Sequence, residues 1–122
     1  MAAPQASKVL LVEDDASMQA VLRTLLEIEG FQVVTAQALQ SQPQLLHFIQ
    51  DERPDVILLD VFLRDASGID LLREMRKDKA CSTIRVIMTS GMDVEERCMA
   101  SGANGFLLKP FMPDELIQKL RG

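Results

Sequence analysis

The stretch Val9-Leu10-Leu11-Val12-Glu13-Asp14-Asp15 passes without a break from an apolar run to three consecutive acids. An uninterrupted short apolar run suits a strand covered on both faces, so the acids stand where a buried strand leaves the core. Adjacent carboxylates repel one another unless a metal or a basic side chain neutralises them. Three further apolar runs end in a polar group: Val56-Ile57-Leu58-Leu59 in Asp60, Val86-Ile87-Met88 in Thr89-Ser90, and Phe106-Leu107-Leu108 in Lys109. Strands of an open parallel sheet all point the same way, and their carboxyl ends share one rim, where such folds place their ligands. The pattern predicts a single site holding acids from strand one, an acid from strand three, a hydroxyl from strand four and a lysine from strand five.

With 122 residues, the chain is expected to form one domain over 8–122 behind a flexible leader, 1–7. The leader's small and polar residues lack the apolar centre of a secretory signal. Apolar residues make up 48% of the chain, yet no stretch approaches the roughly 18 uninterrupted apolar residues of a membrane span. A cytoplasmic setting with no membrane partner is the expectation. The net charge of -5, with no basic stripe, opposes direct nucleic-acid binding, which needs clustered Lys and Arg against phosphate. Cys81 and Cys98 are too far apart in sequence for a metal knuckle or redox pair and are expected as reduced thiols. His47, with polar neighbours, is expected on a solvated helix and receives no role.

Strand one is expected over 8–13. Met18, Val21, Leu22, Leu25 and Ile28 then recur at spacings of three and four, which predicts one apolar face of a helix. Asp15 or Ser17 can cap that helix, and Gly30 can stop it in a left-handed conformation. Strand two is expected over Phe31–Ala36 and helix two from near Pro43, with Leu45, Leu46, Phe48 and Ile49 as its apolar face. Strand three is expected over Asp55–Asp60, helix three over Gly68–Lys77 and strand four over Ile84–Thr89. Helix four is expected from near Val94 to before Gly102, strand five over Gly105–Leu108 and helix five from Pro113. Strict alternation of strand and helix implies right-handed crossovers and a parallel sheet with helices on both faces. The expected class is an α/β, flavodoxin-like (βα)5 sandwich, doubly wound, with a five-stranded parallel sheet in the order 2-1-3-4-5.

Glu13-Asp14-Asp15, Asp60 in Leu-Leu-Asp-Val, Gly68, Thr89 and Lys109-Pro110 together resemble the receiver domain of bacterial two-component response regulators, over essentially the whole chain. The resemblance implies a phosphorelay switch that is not an enzyme on other substrates and catalyses only its own phosphorylation and dephosphorylation. It implies that Asp60 is the phosphoacceptor for a sensor histidine kinase or phosphotransfer protein. It further implies that Asp14, Asp60, Glu13 (directly or through water) and the backbone carbonyl of Phe62 hold Mg2+. Thr89 matches the switch hydroxyl, Lys109 the lysine that contacts the phosphoryl group, and Phe106 the aromatic that reorients on activation. A homodimer or an output domain would engage the face of helix four, strand five and helix five.

The chemistry asks for these residue types independently. Phosphoryl transfer concentrates charge on oxygen, so a hard cation among carboxylates and a lysine supply what the reaction needs. Two departures from the family pattern stand beside the nucleophile: Phe62, where small or polar residues are common, and Arg64, where proline is frequent. A degenerate receiver acting as a phosphorylation-independent interaction module is the alternative, but such chains lack an acid, the hydroxyl or the lysine, all present here. An aspartyl phosphohydrolase would want a second acid two residues after Asp60, where Phe62 stands.

Overall fold

The computed structural model describes residues 7–36 and 41–122; the expected leader, apart from Ser7, and the start of the glutamine-rich stretch lie outside them. Ten elements alternate along the chain: β1 (Lys8–Val12), α1 (Ala16–Ile28), β2 (Gln32–Thr35), α2 (Gln42–Glu52), β3 (Val56–Asp60), α3 (Gly68–Lys77), β4 (Arg85–Ser90), α4 (Glu95–Ala100), β5 (Gly105–Leu108) and α5 (Pro113–Arg121). The strands form one parallel sheet in the order β2-β1-β3-β4-β5, as the alternation predicts.

Side chains alternate across the sheet and divide the core in two. Leu10, Val12, Ile57, Leu59, Val86, Met88 and Phe106 face the helices α2, α3 and α4. Val9, Leu11, Val56, Leu58, Ile87 and Leu107 face α1 and α5, through Leu22, Leu26, Leu116, Ile117 and Leu120. The central strand β3 is buried along its whole length, which is why its sequence is apolar without alternation.

Local signals in the sequence account for most boundaries. Asp15 caps α1 by accepting from Met18 N at 3.0 Å, and Gly30 follows the helix with φ +96°. Ser41 caps α2 in a reciprocal box with Gln44, which starts the helix just ahead of Pro43. Strand ends differ from the expected ones by a residue: β1 stops at Val12, β2 spans Gln32–Thr35 and β4 runs from Arg85 to Ser90.

The apolar face of α1 needs correction. Leu22 and Leu26 are the buried pair and Leu25 is half-buried, whereas Val21 is 63% exposed and Ile28 77% exposed. At about 100° per residue the apolar residues of α1 cover an arc of roughly 160°, wider than the sheet beneath can cover.

Gly68 fixes the approach of α3 to the sheet. Its N–H donates to Val61 O at 2.8 Å, and a Cβ there would collide with the carbonyl oxygen of Asp60 and lie 3.0 Å from Val61 Cα. Both neighbours are backbone and cannot swing aside. Gly68→Ala is therefore expected to cost about 1–3 kcal/mol, the range for overpacking a filled interior. Urea denaturation of the two proteins checks this, and equal midpoints would mean that the β3–α3 junction has slack.

Candidate functional site

Glu13, Asp14, Asp60, Thr89 and Lys109 all stand at the carboxyl edge of the sheet, each within two residues of the end of its strand. Register brings Asp60 of β3 directly opposite Thr89 of β4. Lys109 leaves β5 with its N–H bonded to Ser90 O at 2.8 Å, and its ammonium donates to Glu13 Oε1 at 3.0 Å and to Asp60 Oδ2 at 3.2 Å. Glu13, Asp60 and Thr89 are all buried. The lysine thus spans from β5 across to β1 and β3. The Lys109–Pro110 peptide is cis.

The acidic loop after β1 is held from several sides. Asp14 N–H donates to Glu13 Oε2 at 3.0 Å. The Arg64 N–H donates to Asp14 Oδ2, while Asp14 Oδ1 is buried and finds no partner among the described residues. Asp15, third of the acids, turns away to cap α1. Phe62, two residues after Asp60, is half-exposed and forms an isolated bridge with Ser67. Phe106 lies in the core beneath α4, opposite Met88.

Electrostatics set these groups against one another. Burial, reinforced by a hydrogen bond to Glu13 and the charge of Glu13, raises the Asp60 carboxyl from 3.8 to about 7, while Lys109 opposes the rise. For Lys109, burial favours the neutral amine, but the hydrogen bonds and charges of Glu13 and Asp60 outweigh it and the ammonium is held more firmly than usual.

The donor set bears on a divalent cation. Among the described residues no three acidic, histidine or cysteine side chains are arranged to cage a metal. Mg2+ does not need that, since it keeps several waters and is bound through one or two carboxylates. The unpartnered Asp14 Oδ1 fits such an ion, because a buried carboxylate oxygen left without a donor is costly.

Two contacts that hold the site are not signalled by the sequence. Gln19 donates from Nε2 to Glu13 O at 3.0 Å and to Ala36 O at 3.3 Å, and Arg64 acts through its backbone. A glutamine in a helix and a main-chain N–H give no periodic or motif signal. The remaining candidates behave as expected: Cys81 and Cys98 are free buried thiols, and His47 is exposed on α2, 3.4 Å from Asp51.

The chain matches the family model described as the response regulator receiver domain over residues 9–121. It is 33% identical over 116 residues to the phosphate regulon transcriptional regulatory protein PhoB of Pseudomonas aeruginosa, covering 93% of this chain and 49% of that protein. It is 34% identical over 116 residues to the DNA-binding response regulator MtrA of Mycobacterium tuberculosis, with the same coverage of 93% and 49%. The chain therefore spans about half the length of the curated relatives it matches. Among solved structures, the receiver domain of a sensor histidine kinase of Pseudomonas aeruginosa superposes with a TM-score of 0.84 at 28% identity over 95% of each chain, and that crystal holds a magnesium ion in its active-site cleft.

The raised Asp60 carboxyl has a consequence for stability. Between the unfolded value of 3.8 and the folded value of about 7, the metal-free native state keeps a proton that the unfolded chain has released. Native stability must then fall as pH rises through that window. Asp60→Asn removes the titration, so in chelator it should be more stable than wild type near neutral pH, with the gain shrinking as pH approaches about 4. Urea midpoints across this range are the measurement; a gain that does not vary with pH would mean that Asp60 is not the group under strain.

Proposed function

The chain belongs to the response regulator receiver domain family, and on that premise we propose that Asp60 is its phosphoacceptor, loaded by a sensor histidine kinase or phosphotransfer protein. The observation that carries this reading is the buried Asp60 carboxylate at a strand exit with the Lys109 ammonium 3.2 Å from it. In the transfer, a carboxylate oxygen of Asp60 forms the O–P bond as the N–P bond of phosphohistidine breaks. The imidazole leaves with the electron pair of that bond.

The role of each neighbour follows from where charge develops. Phosphoryl transfer is governed by positioning and neutralisation of the phosphoryl oxygens. The Lys109 ammonium, 3.2 Å from Asp60 Oδ2, would meet them, and the hydroxyl of Thr89, the β4 residue opposite Asp60, would donate to one once the acyl phosphate has formed. Asp14 and Asp60, with Glu13 directly or through water and the backbone carbonyl of Phe62, are the groups that would hold Mg2+. When bound, that ion supplies further neutralisation of oxygen charge. The domain would act on itself alone, accepting and losing a phosphoryl group.

Partners can be placed by the same reasoning. Met18, Pro110, Phe111 and Pro113 line an apolar cleft that reaches Lys109, which offers a phosphohistidine donor a seat beside the nucleophile. Phe106 belongs to β5 and shares its core cluster with Cys98 of α4, so its reorientation would be felt on the face of α4, β5 and α5, where a homodimer or output domain would bind. The half-exposed Met99 and Leu108 provide apolar contact there.

Two experiments test the assignment. Asp60→Asn should take up no phosphate from acetyl phosphate with Mg2+, because an amide is not a nucleophile of this kind; an adduct persisting in the intact mass would remove Asp60 from its role. Thr89→Ala should still be labelled but fail to switch. NMR shifts of α4 and β5 on adding beryllofluoride would follow this, and wild-type shifts in the variant would show that the hydroxyl does not transmit the signal.

A further inference from the structure

The peptide joining Glu13 to Asp14 is fixed at both ends. Its N–H donates to Glu13 Oε2 at 3.0 Å, and its carbonyl oxygen accepts from Gln19 Nε2 at 3.0 Å. The same Gln19 amide donates to Ala36 O at 3.3 Å. Both partners of the Gln19 amide are carbonyl oxygens, so the nitrogen is the atom that must face them. Ala36 is buried immediately after β2, and its own N–H bonds to Leu11 O at 2.9 Å. One side chain from the first turns of α1 therefore ties the exit of β1 to the exit of β2.

This tie governs Asp14. Rotation of the Glu13–Asp14 peptide would carry the Asp14 carboxylate with it, and Gln19 is the side chain that holds the carbonyl end of that peptide. Arg64 N–H fixes Asp14 Oδ2 from the β3–α3 loop, and Oδ1 stays buried with no partner among the described residues. We propose that Gln19 is a positioning residue for divalent-cation binding, setting the Glu13–Asp14 peptide so that Asp14 presents its free oxygen to the ion. The inference rests on the reading of Asp14 as a metal ligand. It assigns Gln19 no contact with the ion or the phosphoryl group.

Outer residues that orient metal ligands typically change affinity by about ten- to a hundredfold when removed. Gln19→Met keeps the length of the side chain and loses both donors, so calorimetric titration with MgCl2 should show affinity weakened about tenfold or more. Gln19→Glu separates orientation from charge. A carboxylate there also loses the donors and repels both carbonyls, yet its added negative charge would tighten cation binding if charge alone mattered. Weaker binding by both variants supports positioning. Labelling by acetyl phosphate should then need more Mg2+ for half-maximal yield while reaching the wild-type yield at saturation.

Wild-type affinity in Gln19→Met, or tighter binding in Gln19→Glu, would overturn the inference while leaving the metal site intact. A wild-type chain that binds no Mg2+ would overturn the reading of Asp14 and this inference with it. Failure of both variants to fold, read from their metal-free NMR spectra, would also overturn it, in favour of a purely structural tie between the two strands.

Discussion

The bridge from Lys109 to Glu13 and Asp60 is the interaction on which the carboxyl edge of this sheet depends. Three acids, Glu13, Asp14 and Asp60, meet there with one ammonium among them. With every group ionised, the edge carries two uncompensated negative charges, three less one. Burial makes that arrangement expensive, since charge repulsion is weakly screened away from water. The protein relieves it in part by letting Asp60 hold a proton up to about pH 7. A divalent cation would relieve it without the proton. Cation and proton would then compete for one carboxylate, and binding of the ion would favour the ionised form of the proposed phosphoacceptor. In that role the ion would do more than neutralise the transferred group, because it would also favour the ionised Asp60 carboxylate from which attack would proceed.

Such strain can be kept only on a stiff support. Leu10, Leu11, Ile57 and Leu59 are completely buried behind the acids, and β1 and β3 pair along nearly their full length. Gly68 lets α3 pass so close to β3 that its backbone bonds Val61 O. The contrast with α4 is instructive. That helix has six residues, and its N-terminal end, which follows β4 and Thr89, has the apolar Val94 as cap residue and only a long 3.4 Å bond from Glu95 N–H to Asp93 Oδ1. Its other end is tied by Ser101 Oγ to Arg97 O at 2.8 Å and by Arg76, which donates to Gly102 O at 3.0 Å and to Ile84 O at 2.8 Å. The rigid elements carry Asp60, the proposed phosphoacceptor, and the weakly capped end of α4 adjoins the Thr89 hydroxyl proposed to report on it.

Much of this was legible in the sequence because two periods dominate it. Continuous apolar runs mark strands covered on both faces, and the first polar residue after each run must lie on the rim, so Asp60, Thr89 and Lys109 could be placed by counting. Alternation with helices then left one common topology. The supporting bonds of the site were not legible. Gln19 acts through a side-chain amide whose partners are main-chain carbonyls 6 and 17 residues away, and Arg64 contributes only its N–H. No residue type at either position announces such a role. The Ser41 box was readable in principle from Ser-Gln-Pro-Gln, but the neighbouring glutamines obscured it.

The misreading of α1 carries information of its own. Periodicity reports that a helix is apolar on one side; it does not report how wide a surface lies opposite. Leu22 and Leu26 meet the sheet, while Met18, Val21 and Ile28 continue the apolar arc beyond it into solvent. Nothing in the fold requires apolar residues there, and an amphipathic surface helix ordinarily presents polar groups on that side. The exposed arc begins at Met18, in the apolar cleft that contains Lys109, Pro110 and Phe111. A surface of this kind, reaching Lys109 beside the buried Asp60, would suit a second protein that brings its own reacting group within bonding distance of the proposed phosphoacceptor. The same sequence period thus encodes two surfaces, one for the core and one beside the chemistry.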